Sequence, residues 1–364
     1  MKEKKKVLIL CTGPRNCVPT QRLKYEQYLD QLEKEGYSFT LSPFQTKRFW
    51  KIIYQPGHLI EKVFWVGVGY LKRTFDLLRL PFYDAVYISL WVTPIGFPFF
   101  EKMVLALNKN VIYDIDDMIF MNQADADKGF IQKLKGKKKP LVLMKEAKYV
   151  IVCTPKLEKI ALEINKYKNV IDISSTLDTQ RFLPVPDYKK KEETIIGWTG
   201  SHSTIPFLKT LTPVLQAVAS KRNIKLLVIA DQAYEMVGVD TEFVKWTSEN
   251  EVQDLHRIDI GVYPIPMNEW SLGKSSLKAL TYMSVALPVV TPAFGTNFRI
   301  IEDEIDGVLV NNEEEWVQKL IELIDDVEMR KRIGIAGRKK VEEQFSVKAN
   351  YAKYLKVFKT VIGI

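Results

Sequence analysis

The feature that most constrains this chain is a repeated alternation of short, β-branched apolar runs with longer segments of helical periodicity. "KVLILC" (residues 6–11) opens it, apolar on both faces, as a strand inside a parallel sheet must be. "TQRLKYEQYLDQLEKEG" follows as an expected helix: Thr20 stands at the cap, Leu23, Tyr25, Tyr28, Leu29 and Leu32 supply an apolar face, and Gly36 stops it. Further strands are expected at "SFTLS", "AVYISL", "VIYDI", "YVIVC" and "VIDIS", with helices at "KKKPLVLMKEA" and over residues 155–166. Strands and helices alternating in this way build a doubly wound parallel sheet, an α/β architecture.

"FLPVPDYKKKEE" (residues 182–193) interrupts the pattern with two prolines and a charge run, and the alternation then restarts. "TIIGWT", "IKLLVIA", "EFVKW", "DIGVYPI" and "PVVT" read as strands. Residues 206–220, "SENEVQDLH" with a Ser248/Glu251 capping box, and residues 274–284 read as helices between them. A chain of 364 residues with 46% apolar content has material for two cores. The expectation is a Rossmann-like domain over residues 1–185 and a second over 193–345, with a last helix in 346–364 packing back on the first. Ligands of such open sheets bind beyond the carboxyl ends of the strands, so two domains in tandem direct attention to a cleft and to the turns that follow strands.

The net charge of +9 is uneven, because residues 1–140 hold 23 Lys/Arg against 14 Asp/Glu and the remainder holds 30 of each. The excess gathers in residues 2–6 and in "KLKGKKKP" (residues 133–140), which suits an anionic surface or simply a solvated face. A neutral rear half without interleaved aromatic and basic residues argues against nucleic acid. Cys11, Cys17 and Cys153 lack ligand-like spacing and His58, His202 and His256 stand far apart, so neither a disulfide framework nor a zinc site is expected. The first apolar run is too short for a signal peptide, and the longest uncharged stretch (residues 85–100) is broken by Pro94 and Pro98. The reading is a cytoplasmic protein.

Four turns carry chemistry-bearing residues. After the first strand, Gly13 can present backbone N–H groups with Arg15 adding charge, or form a plain loop; the Gly-x-Gly-x-x-Gly fingerprint is absent. In "GWTGSHST", Gly200 permits close approach, and Ser201, His202, Ser203 and Thr204 offer donors to a phosphate or a sugar, or merely cap a helix. "YDIDDMIF" places Asp114, Asp116 and Asp117 at a strand end, where an acceptor-side or structural role is preferred over magnesium. "GKSS" is not a P-loop, since Asn268 stands where a glycine is required. It leaves Lys274 and Lys278 four residues apart on one face of an expected helix start, with Ser275 and Ser276 as donors. Cations at that positive end call for an anion, and two ammonium groups can neutralise a diphosphate without a metal; surface lysines are the alternative.

The segment from Asp259 to Val310, together with "IGWTGSHST", "IKLLVIAD" and "YDIDDMIF", resembles the retaining glycosyltransferases of the two-domain GT-B fold, of the group 1, family 4-like kind. The resemblance spans nearly the whole chain. It departs at the two glutamates that family often carries, whose positions are Gly273 and Thr281 here.

What the resemblance implies is transfer of a sugar, with retained configuration, from a nucleotide diphosphate sugar to a glycan or lipid-linked acceptor in surface polysaccharide biosynthesis. No metal or other cofactor is implied. The rear domain would hold the donor and the front domain the acceptor. Lys274 and Lys278 would be catalytic, stabilising the departing diphosphate with the backbone of Ser275, Ser276 and Leu277. Gly13, Arg15, Gly200, Ser201, His202, Asp231, Glu269 and Thr281 would line the substrates, with Glu269 standing in for a missing glutamate and Asp116 and Asp117 on the acceptor side. The basic front half would lean on an anionic membrane through "VFWVGVGYLKRTF" (residues 63–75). The competing readings are a sugar-nucleotide epimerase of the same architecture and a non-catalytic sugar-nucleotide binder.

Overall fold

The computed structural model describes residues 3–121, 136–189 and 191–363. Lys2, Lys133 and Lys135 of the two basic clusters lie outside the described residues.

Contacts divide the chain into two units, one of residues 1–175, 273–275 and 350–364, the other of residues 176–272 and 276–349. The first contains β1 (Lys5–Cys11), β2 (Tyr37–Pro43), β3 (Ala85–Ser89), β4 (Val111–Asp114), β5 (Tyr149–Val152) and β6 (Val170–Asp172). All pair in parallel in the order β2-β1-β3-β4-β5-β6. The second contains β7 (Thr194–Thr199), β8 (Ile224–Ala230), β9 (Thr241–Lys245), β10 (Ile260–Val262), β11 (Val289–Pro292) and β12 (Val308–Val310), again parallel, in the order β12-β11-β10-β7-β8-β9. Central strands sheltered on both faces must be apolar throughout, and Val7–Cys11 of β1 are indeed fully buried. The order reverses between β1 and β3 in the first sheet and between β7 and β10 in the second, and at such switch points the loops diverge and leave room for a ligand.

Three helices bear on function: α1 (Leu59–Arg79), α2 (Leu277–Ser284) and α3 (Val347–Ile362). From Asn350 onward α3 belongs to the first unit. Its Tyr354 ring lies 4.2 Å from that of Tyr28, and Phe358 lies 5.3 Å from Tyr37.

The segment around residues 182–193 is not a free linker. Phe182 is buried, Val185 donates its N–H to the Val285 carbonyl at 2.9 Å, and Arg338 donates to the Thr179 carbonyl at 2.8 Å. The second unit therefore begins at Thr176, ahead of the prolines.

Besides α2, three helices differ from the sequence reading. The expected single helix after β1 is broken into Pro19–Arg22, a 3-10 turn at Glu26–Tyr28, and Leu29–Lys34. Gln21, Lys24 and Glu26 are all buried, and one straight helix cannot aim all three at the strand ends they serve. Residues 206–220 form two helices, Ile205–Lys209 and Thr212–Ala219, since Pro213 has no N–H to continue the ladder. The helix expected to be capped by Ser248 with Glu251 starts at Glu251 itself, with Asn250 at its cap; Ser248 donates to Glu249, and Glu251 accepts from Arg181 at 2.9 Å.

Candidate functional site

In the second unit, the strand-end loops at the β7/β10 switch point are built around Trp198. This side chain is fully buried, and the Lys278 ammonium lies 4.5 Å from its ring centroid and 6.0 Å from that of Tyr263. The same ammonium donates to Thr204 Oγ1 at 3.0 Å. A cation held against an aromatic face keeps its charge while part of its hydration shell is replaced by π density. Gly200 is required here: a Cβ would sit 2.2 Å from the Trp198 ring.

The loop that follows is ordered by its own hydrogen bonds. Ser201 N–H donates to Thr204 Oγ1 at 3.1 Å, and the Ser201 and Ser203 hydroxyls lie 2.8 Å apart. His202 is held twice by Asp231 at the end of β8: its N–H donates to Oδ1 at 2.6 Å, and its Nδ1 lies 2.6 Å from Oδ2. The expected substrate residues Gly200, Ser201, His202 and Asp231 are thus one cluster, with Lys278 beside them through Thr204. Tyr282 anchors the floor, its hydroxyl accepting from the Thr199 N–H at 2.8 Å.

The start of α2 differs from the sequence reading. Lys274 and Lys278 do not share a helix face, because the helix begins at Leu277 and Ser276 is left-handed (φ 56°). Ser276 is buried and its hydroxyl donates to Asn297 Oδ1 at 2.6 Å, while Asn297 in turn donates to Thr291 Oγ1 at 2.8 Å. This network sets the turn, and it takes up the Ser276 proton that the sequence reading gave to a diphosphate. Thr281 likewise donates within α2, to the Leu277 carbonyl at 2.9 Å. The first N–H groups of α2, from Leu277 on, have no partner inside the helix and mark its positive end. Glu269 stands exposed on a 3-10 turn (Glu269–Gly273).

In the first unit, residues 273–275 pack with the strand-end loops of its own sheet. A Cβ on Gly273 would meet Met118 Cγ at 2.5 Å, and the Ser275 and Ser175 hydroxyls lie 3.2 Å apart. Lys274 donates to Asp117 Oδ2 at 2.5 Å, with both side chains a quarter exposed. Burial lifts the Asp117 carboxyl above its usual range, against the pull of the Lys274 ammonium. The anion that Lys274 called for is therefore already present. Asp116 is half-buried, and its carbonyl accepts from Cys153 Sγ at 3.0 Å. Asp114 is buried and joined to Lys24 and Tyr87, and its carboxylate holds the Lys24 ammonium above its usual range although burial works to lower it.

The β1/β3 switch point of the first sheet is filled by its own side chains. Gln21 Oε1 accepts from the N–H groups of Thr12 and Gly13 at 3.1 and 3.0 Å, so the Gly13 N–H that the sequence expectation offered to an anion is taken up within the loop. Arg73 of α1 donates to the Cys11 and Val92 carbonyls at 2.9 and 2.8 Å. Arg15 is exposed and pairs with Asp30 at 3.2 Å. Among the described residues, no group of three or more His, Cys, Asp or Glu is placed to hold a metal ion.

Residues 193–326 match the family model "Glycosyl transferases group 1". The second unit holds nearly all of that stretch. The match covers β7 through β12, and with them the Trp198–Lys278 cluster. Solved structures agree on the architecture of the whole chain. Sucrose-phosphate synthase from Thermosynechococcus elongatus aligns with a TM-score of 0.70 at 16% identity, covering 99% of each chain. HepE from Anabaena, in complex with UDP and glucose, aligns with a TM-score of 0.71 at 13% identity over 98% of this chain and 100% of its own. A glycosyltransferase from Rickettsia africae aligns with a TM-score of 0.67 at 13% identity, covering 99% of each. The fold is that of the GT-B glycosyltransferases, with two Rossmann-like domains. No curated protein sequence gives a significant match.

Sequence reasoning missed Trp198 and Tyr263 as the platform for Lys278. Trp198 was visible two residues before Gly200, but nothing local marks an aromatic as the seat of a lysine eighty residues on.

Proposed function

We propose that this glycosyltransferase moves a sugar from a nucleotide diphosphate sugar to a glycan or lipid-linked acceptor, with retention of configuration and without a metal ion, in surface polysaccharide synthesis. The observation that carries the reading is the Lys278 ammonium, seated on Trp198 and hydrogen-bonded to Thr204, at the switch point of the sheet that matches the family model. The diphosphate sits against Lys278 and the positive end of α2, and the 201–204 loop contributes further donors. Departure of a nucleoside diphosphate places negative charge on its outer phosphate, and a fixed cation there lowers the barrier without protein nucleophile or metal. The His202–Asp231 pair keeps the loop in register for the donor, and Glu269 approaches the sugar. Lys274 is the weaker half of the expected pair, because Asp117 already neutralises it. Asp116 and Asp117 then belong to the acceptor side. A cytoplasmic place on the inner face of the membrane fits a lipid-linked acceptor, and HepE, crystallised with UDP and glucose, makes a uridine nucleotide the first donor to try.

The test is a thermal-shift screen of UDP-, GDP-, dTDP- and CMP-sugars, since a bound donor raises apparent stability by mass action. The best donor is then followed by NMR with candidate acceptors. The reading expects an axial donor to yield an axial product at an undiminished rate in EDTA. An inverted product, strict magnesium dependence or interconversion of free nucleotide sugars would overturn it.

A further inference from the structure

The face of β2 turned toward α1 carries a row of hydroxyls. Alternate residues of a strand share one face, and Ser38, Thr40 and Ser42 stand two apart. At the carboxyl end the row is closed from within the chain. Asp76 Oδ2 accepts from the Ser42 hydroxyl at 2.6 Å and from Arg73 Nη1 at 2.8 Å. One buried carboxylate is thus answered by one hydroxyl and one cation.

Toward the amino end the same face opens. A cavity of about 340 Å³ is lined there by Ser38 and Thr40, by Lys6 of β1, by Arg79 at the end of α1, and by Phe82 and Tyr83 beyond it. The strand register sets Lys6 beside Ser38. Tyr83 fixes the Arg79 guanidinium, whose Nη2 donates to the tyrosine hydroxyl at 2.7 Å and whose Cζ lies 5.7 Å from the ring centroid. Among the described residues Arg79 has no carboxylate partner, and the Ser38 and Thr40 hydroxyls have no hydrogen-bond partner. Lys6 pairs with Glu3 at 3.8 Å, both side chains more than half exposed. The positive field reaches Lys72, whose ammonium is depressed by burial first and then by the charges of Arg73 and Arg79.

The donor set names the occupant. Where Asp76 meets one cation and one hydroxyl, this cavity offers two of each and no acid in its lining. A carboxylate brings one charge on two oxygens and leaves donors unmet. A phosphate monoester brings nearly two charges on three oxygens, and arginine is suited to it by geometry. Phe82 is 76% exposed at the mouth, and an adjoining cavity of about 260 Å³ shares Lys6, Phe82 and Tyr83, so there is room for an organic body.

We propose that this cavity, at the amino ends of β1 and β2 and so at the other end of the sheet from the strand-end loops, binds a phosphate monoester. The phosphate sits among Lys6, Arg79, Ser38 and Thr40, with the body against Phe82. Binding needs no sugar transfer and is read without a donor. Phenyl phosphate is titrated calorimetrically into the full chain at about pH 7.5, where the ester is mostly dianionic, with benzoate and sodium chloride of matched ionic strength as controls. We expect saturable binding of the ester, much weaker binding of benzoate, and a loss of about tenfold or more in Thr40→Val with Arg79→Gln. Lys6→Gln alone should weaken binding in the same direction. Lys278→Met should leave it unchanged, which separates this cavity from the site in the second unit. All three replaced side chains of the cavity reach solvent, so these variants should melt like the parent. Absence of saturable binding, benzoate bound as tightly, or equal affinity in the parent and both cavity variants would overturn the proposal. So would loss of binding in Lys278→Met, or capture only of phosphate displayed on phosphatidic acid vesicles.

Discussion

Replacing Lys278 by methionine keeps most of the aliphatic stem and removes the ammonium. In the free protein that ammonium lies 4.5 Å from the Trp198 centroid and 3.0 Å from Thr204 Oγ1. A partly desolvated cation–π contact contributes about 0.5–2 kcal/mol and a hydrogen bond to a charged group about 1.5–3 kcal/mol. Against these stands relief of a cation near the positive end of α2, about 0.3–1 kcal/mol. The contacts outweigh the dipole, so the variant should be less stable, by about 1–5 kcal/mol, and melt correspondingly lower. Helix-dipole reasoning from the sequence alone gives the opposite sign. Donor binding loses a charge-assisted contact, about 1.5–3 kcal/mol, or roughly ten- to hundredfold in Kd. Calorimetry with the best-binding nucleotide sugar measures the second effect and a melt of the free protein the first. An unchanged Kd would refute the placement of the diphosphate, and a raised melting temperature would refute the energetic ranking.

Asp117→Asn should cost about 1–3 kcal/mol, between the values for exposed and buried ion pairs, and a double-mutant cycle with Lys274→Met should give a coupling near ~1 kcal/mol. No coupling would mean the contact does not form in solution. Burial pushes the Cys11 thiol up to about 11 and raises Cys153 as well, which starves both of thiolate, whereas Cys17 is only half-buried. At about pH 8 the native protein should therefore label first and fastest at Cys17, and rapid native labelling of Cys11 would contradict the packing around β1. Gly69→Ala forces a methyl into the Phe44 ring and should lower stability by about 1–3 kcal/mol in urea unfolding; a neutral result would mean that α1 packs differently.

The strands were legible because parallel strands sheltered on both faces carry no polar residues, so "KVLILC" and "IKLLVIA" have few other readings. The cluster of Gly200, Ser201, His202 and Asp231 was legible in parts, since each follows a strand, but only the pairing of β7 with β8 brings His202 to Asp231. The break before α2 was not. A left-handed serine depends on Asn297, twenty-one residues on, and "GKSSLKAL" by itself reads as continuous helix. The helix after β1 failed for a related reason: Gln21 and Lys24 look like solvent-facing residues until their partners, Gly13 and Asp114, are brought to them by the fold. The apolar-basic character of residues 63–75 was visible, but not that Arg73 and Asp76 point inward and Phe64 and Phe75 outward.

Everything proposed for the reaction depends on the nucleotide binding at the β7/β10 switch point of the second unit. Hydrogen exchange with and without saturating nucleoside diphosphate tests that placement, because bound phosphate shields the amides that hold it. Protection is expected in residues 199–204 and at the start of α2, with residues 11–21 unchanged. Protection confined to the Gly13 turn and the end of β3, with the Trp198–Lys278 cluster exchanging as in the free protein, would contradict it.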